Sequence, residues 1–176
     1  MLELEVVQSE SNTADLRSEI LSLCNLAYRE DLTELFRTVG PATHVLGLSE
    51  GMLVSHALWV TRWLQPGAGK PLKTAYVEAV ATLPKFQRRG FATLVMRRLV
   101  SEIPESFKLT ALCPARSGIY ERLGWRFWRG RLSIRMPSGQ QQETPDERVM
   151  VFDLPGGPTL DLTEPLSAEW REGELW

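Results

Sequence analysis

A single carboxylate, Glu78, stands in the apolar run YVEAVAT (Tyr76–Thr82), and the basic turn QRRGFA (Gln87–Ala92) follows shortly after. Apolar neighbours would raise the pKa of a carboxylate held there, unless it turns to solvent at the sheet surface. The turn is of a different kind. Consecutive backbone N–H groups between a strand and a helix start can point into one concavity, and the helix N-terminus adds partial positive charge. Gly90 permits a positive φ or close approach of a ligand, and Arg88 and Arg89 add forked cationic donors. A pyrophosphate suits such a site, although the same residues would also make an ordinary basic helix cap. The turn carries neither the Gly-Lys-Ser/Thr of a Walker loop nor a G-x-G-x-x-G fingerprint. Cys113 invites a nucleophilic reading through an acyl-cysteine. No histidine lies near it in sequence, however, and His44 and His56 fall in apolar strand patterns, so Cys113 reads as a small buried residue. No His/Cys spacing suggests a metal site.

Charge is divided along the chain. Lys85 to Arg135 holds twelve Lys/Arg against three Asp/Glu, whereas Gly139 to Trp176 holds nine Asp/Glu against two Lys/Arg. The middle should attract anions and the tail cations, unless the two are simply solvated faces that balance. A pI near 5.8 and the acidic tail oppose nucleic-acid binding. The 176 residues allow one domain with a real core, and 43% hydrophobic with 24% charged residues is ordinary for a globular protein. The opening MLELEVVQSE does not read as a secretory signal. Apolar runs broken by Ser55, His56 or Thr61 fall short of the ~20 residues that span a bilayer. The expectation is a cytoplasmic protein with no membrane partner.

These groups must be positioned by a mixed set of elements. LELEVV alternates as a strand. Cap candidates at Ser11 to Thr13 precede a helix carrying Leu16, Ile20, Leu23, Cys24 and Ala27, and a short helix follows over 32–38. The next segment, from Thr43 on, reads as two strands with a turn at Ser49-Glu50-Gly51, and GAGKP as a hairpin loop. A long strand spans Lys73 to Leu83, stopped by Pro84, and Gly90 to Glu102 is an amphipathic helix. FKLTALC is a strand, RSGIYERLGW a short helix ended by Gly124 and followed by a strand, PSGQQQETPDE a loop, and RVMVFDL a last strand before a Pro/Gly-bearing tail. This order predicts an α+β (mixed α/β) fold with a mostly antiparallel twisted sheet and about four helices. It predicts one domain over 1–176, with 137–176 as an appended strand and acidic tail.

Q-x-x-G-x-A after a strand, preceded by VAT-L-P and followed later by IYERLGWRFW (Ile119–Trp128), resembles the acetyl-CoA signature and the FYxxLGF block of the GNAT acetyltransferases. The likeness runs roughly from Leu2 to Met136. YVEAVAT, TPDERVMVFDLP and the ending AEWREGELW further resemble the aminoglycoside 2'-N-acetyltransferases, over almost the whole chain.

The resemblance implies acetyl-CoA as co-substrate, no metal, and direct transfer to an amine of an aminoglycoside at the 2' position. An alkylammonium with a pKa of about 10.4 leaves on the order of one molecule in a thousand neutral at pH 7, so a base helps. Glu78 is the expected base; strand alternation with Tyr76 and Val80 places it on one face. By the same resemblance Tyr120 is the general acid for the thiolate, and Val80 and Thr82 pair with the pantetheine arm. The Val80 N–H polarises the thioester carbonyl. Gln87, Arg88, Arg89, Gly90, Phe91 and Ala92 receive the pyrophosphate. Asp31, Ala79, Cys113, Asp146, Glu147, Glu174 and the terminal Trp176 line the cationic substrate. Cys113 departs from a Ser common in that family, Glu174 from an Asp, and Glu34 stands near a second lost Asp, which puts substrate range in doubt. A homodimer is also implied. Two other readings stay open: an acetyltransferase for another polyamine or small amine, and a non-catalytic CoA-binding module.

Overall fold

The alternating LELEVV folds as the strand β1 (Glu3–Gln8), with exposed and half-covered residues trading places along it. The computed structural model describes residues 1–176, and its internal packing groups them into two units. One comprises Met1–Val60 and Val77–Glu102; the other comprises Thr61–Tyr76 and Ile103–Trp176. Strands β3 (Met52–Pro66) and β4 (Leu72–Thr82) each give residues to both. No helix is long and apolar enough to cross a membrane.

In the first unit, β1 leads through a 3-10 turn (Ser9–Ser11) to α1 (Ala14–Tyr28), α2 (Thr33–Thr38) and β2 (Ala42–Ser49). The Thr13 hydroxyl accepts from the Leu16 N–H at 3.2 Å and caps α1, supplying one of the donors a helix start leaves unsatisfied. Ile20, Leu23 and Cys24 are its buried residues, at the spacing of one helical face. β2 pairs antiparallel with β1 and with β3. The β2–β3 turn uses Glu50 and Gly51 at φ 53° and 75°, the paired left-handed conformations of a two-residue hairpin. Strand order is β1-β2-β3-β4. A 3-10 turn (Pro84–Phe86) then leads to α3 (Phe91–Ser101), which buries Val95, Met96 and Leu99 and packs on β2. Gly47 lets it come close: a Cβ there would lie 3.2 Å from Val95 Cγ2.

In the second unit the chain adds β5 (Leu109–Leu112), α4 (Gly118–Arg122), β6 (Arg126–Phe127), β7 (Leu132–Arg135), β8 (Gln141–Glu143), β9 (Met150–Asp153) and β10 (Leu166–Glu169). Strand order is β6-β9-β5-β4-β3-β10-β7-β8. Pairing is antiparallel for β9 with β5 and β6, β10 with β3, and β7 with β8; β5 runs parallel to β4 and β10 parallel to β7. The fold is α+β with a mostly antiparallel sheet, as the element order implied.

Two strands depart from the sequence reading. Gln141–Glu143 lies in PSGQQQETPDE, where no strand is expected; its three residues are exposed, yet they pair with Ser133–Arg135. Leu166–Glu169 lay in the Pro/Gly-bearing tail, yet Leu166 and Ala168 are wholly buried between β3 and β7. The strand of RVMVFDL lies between β5 and β6, with Val149, Met150 and Val151 wholly buried.

Candidate active site

In the first unit the site is built around a kink in β4. Ala79 has φ 50° inside the strand, a left-handed conformation costly for a residue with a Cβ and of the kind that re-aims strand side chains. The alternation expected to place Glu78 and Val80 on one face therefore does not hold, because the two-residue period is interrupted between them. Glu78 is buried and Val80 half-buried.

The carbonyls beyond the kink are held by side chains. His56 Nδ1 lies 2.9 Å from Ala79 O, the Tyr28 hydroxyl donates to Val80 O at 3.1 Å, and the Ser55 hydroxyl donates to Ala81 O at 3.1 Å. Gln87 Nε2 donates to Thr82 O at 3.1 Å. Since the single Ser55 proton goes to Ala81, the Thr82 hydroxyl, 2.8 Å away, donates to Ser55 Oγ. Gln87 was expected at the pyrophosphate. Its side-chain amide closes the end of β4, a local role that sequence spacing does not reveal.

The turn that follows has the geometry of an anion cradle. Arg88 and Gly90 are left-handed, at φ 62° and 81°, and α3 begins at once with Phe91. The first N–H groups of a helix lack intrahelical acceptors and carry the positive end of its dipole. A Cβ at Gly90 would meet nothing within 4 Å, so open space fronts the backbone where a phosphate would sit. Arg88 and Arg89 are exposed; the Arg89 guanidinium lies 5.0 Å from the Phe86 ring centre, and Phe86 stacks on Phe91 at 6.2 Å. Ala92 is half-buried in the first turn. These residues fit a pyrophosphate.

The early acids are partly engaged. Asp31 is exposed, and its Oδ1 accepts from the Thr33 N–H and hydroxyl at 3.0 and 2.6 Å, which holds its carboxyl below the usual carboxylate range. Glu34 binds Arg37 through both oxygens, at 2.6 and 2.9 Å.

In the second unit, Tyr120 is buried on α4 against the edge of Trp125, with ring centres 6.1 Å apart. Burial pushes its phenol up to about 12, so the hydroxyl is protonated at neutral pH and able to donate. Cys113 is half-buried rather than buried as expected, and its thiol donates to Glu147 Oε2 at 3.3 Å. Burial pushes that thiol up to about 11, with the Glu147 and Glu174 carboxylates adding to the rise. A thiol so disfavoured as thiolate is a poor nucleophile, which argues against an acyl-cysteine.

One turn carries two of the acids, Asp146 and Glu147. Glu147 N–H donates to Thr144 O at 3.2 Å, while the Thr144 hydroxyl accepts from Trp176 Nε1 at 2.8 Å. Trp176 is thus buried beside the turn that carries Glu147. Asp146 is exposed on the same turn.

Sequence reading missed the residue that fastens the end of the chain. Arg62, 1% exposed, donates at 2.7 Å to both Glu169 O and Leu175 O. Its guanidinium also lies 5.1 Å from the Tyr76 ring centre. The signal was present as a cation inside the apolar run SHALWVTRWL. His44 and His56, dismissed as strand residues, were the other omission.

The GNAT acetyltransferase domain family matches residues 11–128. The chain belongs to that family. It is 32% identical over 138 residues, 76% of this chain and 70% of the relative, to an aminoglycoside 2'-N-acetyltransferase of Mycolicibacterium fortuitum. Its fold resembles that of a GNAT family N-acetyltransferase, YhbS, from Escherichia coli in complex with CoA. The TM-score is 0.66 at 14% identity, covering 98% of this chain and 92% of that one. It also resembles Eis1 from Mycobacterium abscessus, with TM-score 0.62 at 18% identity over 76% of this chain; the chain spans 33% of that protein's length.

Proposed function

We propose that this GNAT acetyltransferase moves the acetyl group of acetyl-CoA to an amine of an aminoglycoside, at the 2' position. The observation that carries the substrate class is the turn of Asp146 and Glu147, whose Thr144 holds Trp176 and whose Glu147 accepts from the Cys113 thiol. Carboxylates so placed favour a polycationic sugar over a neutral or anionic acceptor. The similarity to the M. fortuitum enzyme supports the same class.

Bound at the Gln87–Ala92 turn, acetyl-CoA supplies the thioester. Glu78 takes the proton of the incoming ammonium, directly or through a water. The Val80 N–H donates to the carbonyl oxygen as negative charge develops there. The Tyr120 phenol gives its proton to the departing thiolate.

The test is thiol release from acetyl-CoA in the presence of gentamicin, tobramycin, spermidine and a lysine peptide, with the acetylated position located by mass spectrometry. Turnover with the 2'-amino sugars is expected, and removal of Trp176 should raise KM for the sugar but not for acetyl-CoA. No turnover above background with any aminoglycoside would sink the reading. One observation favours a different polyamine: Asp31 and Glu34 already serve Thr33 and Arg37, so the early acids are less open to a sugar amine than the resemblance implies. Faster turnover with spermidine would establish it.

A further inference from the structure

The left-handed Ala79 peptide sits at one end of a buried chain of hydrogen bonds that crosses the first unit. His56 Nδ1 is 2.9 Å from Ala79 O, His56 Nε2 is 2.9 Å from His44 Nδ1, and His44 Nε2 is 2.9 Å from Ser9 Oγ. The Ala42 N–H donates to that same Ser9 Oγ at 3.0 Å. The direction of every bond follows from its end. A carbonyl only accepts, so His56 carries its proton on Nδ1; the Nε2 of the neutral ring must then accept, from His44 Nδ1–H. His44 Nε2 accepts in turn from the Ser9 hydroxyl. Each link holds one proton, and the two rings are required to be the same tautomer.

We propose that His56 and His44 are positioning residues for acetyl transfer: they hold the Ala79 peptide in its left-handed turn and so fix the directions of Glu78 and of the Val80 N–H. For its effect on rate, this rests on the roles given to Glu78 and Val80 above. Ala79 is the strained residue of β4, and strain of this kind persists only where the surroundings over-determine it. The support at Ala79 O is itself supported twice over, by His44 and then Ser9. Burial keeps both rings neutral, with His44 down to about 4 and His56 to about 3, so neither gains a second donor that would break the sequence of bonds. Glu10 faces His44 as the nearby carboxylate, while His56 faces His44, Cys24 and Phe36. The Cys24 thiol, pushed up to about 12 by burial, stays protonated.

His44 also lines a cavity of about 500 Å³ with Ser9, Asn12, Ile20 and Phe36. That opening gives a way to test the relay one link from the strand. In the intact 176-residue chain, long-range ¹⁵N–¹H spectra of the imidazoles should show both rings neutral and protonated on Nδ1 from pH 8 to 5.5. A proton on Nε2 of His56, or a cationic ring at pH 5.5, would overturn the proposal. His56→Leu should lower kcat about 10- to 100-fold with KM for acetyl-CoA unchanged. His56→Asn, whose amide can donate to Ala79 O, should restore most of it. An active His56→Leu with unchanged kcat overturns the proposal. If His56→Leu does not fold, His44→Ala reads the same relay: its kcat should fall and recover on adding imidazole, and a kcat equal to wild type overturns it. Should the wild-type protein acetylate no amine, the functional reading fails, and the tautomer spectra alone decide whether the relay exists.

Discussion

Between pH 7.5 and 5.5 the stability of this protein should be governed by two side chains. His44 and His56 are the only histidines in the chain. Burial lowers His44 from 6.5 to about 4, against the pull of Glu10. Burial, and then the neighbouring His44, lower His56 from 6.5 to about 3, against the hydrogen bond to Ala79. In the unfolded chain both rings titrate near 6.5, so below that pH the unfolded state binds protons that the folded state refuses. Stability is fully present above pH 6.5 and is lost as pH falls toward the folded values of about 4 and 3. At pH 5.5, one unit below the unfolded value, each ring costs about 1.4 kcal/mol, and the pair about 2.8 kcal/mol. The two costs add, because neither ring is protonated in the folded protein at that pH and their mutual repulsion does not enter. Against a typical total of about 5–15 kcal/mol the loss is large. Carboxylates with unfolded values near 4 contribute little in this window. Urea unfolding followed by tryptophan fluorescence at pH 7.5 and 5.5 measures the difference directly. A change below about 1 kcal/mol would refute the burial argument. So would an unchanged pH slope in the double variant His44→Gln/His56→Asn, which has no group left to titrate there.

Other perturbations test other parts of the molecule. Ala79→Gly should be neutral or stabilise by up to about 1 kcal/mol, whereas Ala79→Val should destabilise by about 1–2 kcal/mol, since a β-branched residue tolerates a left-handed φ least; denaturant midpoints at pH 7.5 check both. Gly90→Val puts a side chain into the open space before the turn at φ 81°, and KM for acetyl-CoA should rise about tenfold or more, a loss of about 1.4 kcal/mol. Arg62→Met leaves Glu169 O and Leu175 O without their donor; a loss of about 3 kcal/mol is expected in urea, with faster proteolysis of the last residues.

Much of the fold was legible because long elements carry their periodicity openly. Val95 and Leu99 mark one face of α3, and Ile20, Leu23 and Cys24 one face of α1. The hairpin turn at Glu50-Gly51 and the left-handed Gly90 were legible because glycine marks both. What failed was short, or depended on distant partners. Three polar residues, QQE, show no pattern that would mark an edge strand, and β10 is specified by what lies on either side of it, more than thirty residues earlier in the chain. For the site, residue types were readable and their directions were not. Gln87 lies in the turn but its side chain bonds back to the strand, and Cys113, read as a small buried residue, stands half-buried against Glu147. Arg62, His44 and His56 carried the mark that singled out Glu78, a polar group inside an apolar strand, but their partners lie 12 to more than 100 residues away.

The core of the first unit makes a physical case for the importance of β4. A strand whose only task is to hold a sheet together satisfies its carbonyls in the ladder and lets apolar residues fill the space around it. Here Ser55 and His56 are wholly buried in β3, and each spends its proton on a β4 carbonyl. Tyr28 and Gln87 do the same from α1 and from the turn. Burying polar side chains is unfavourable unless they are bonded, so this arrangement is stable only because the kinked strand accepts those bonds, and the strand keeps its kink only because they are offered. Each side would be dispensable if the other were regular. An apolar Leu at 56 beside an unkinked β4 would be a simpler way to build the same sheet, and its absence places the purpose of the buried polar residues in the shape of residues 78–82.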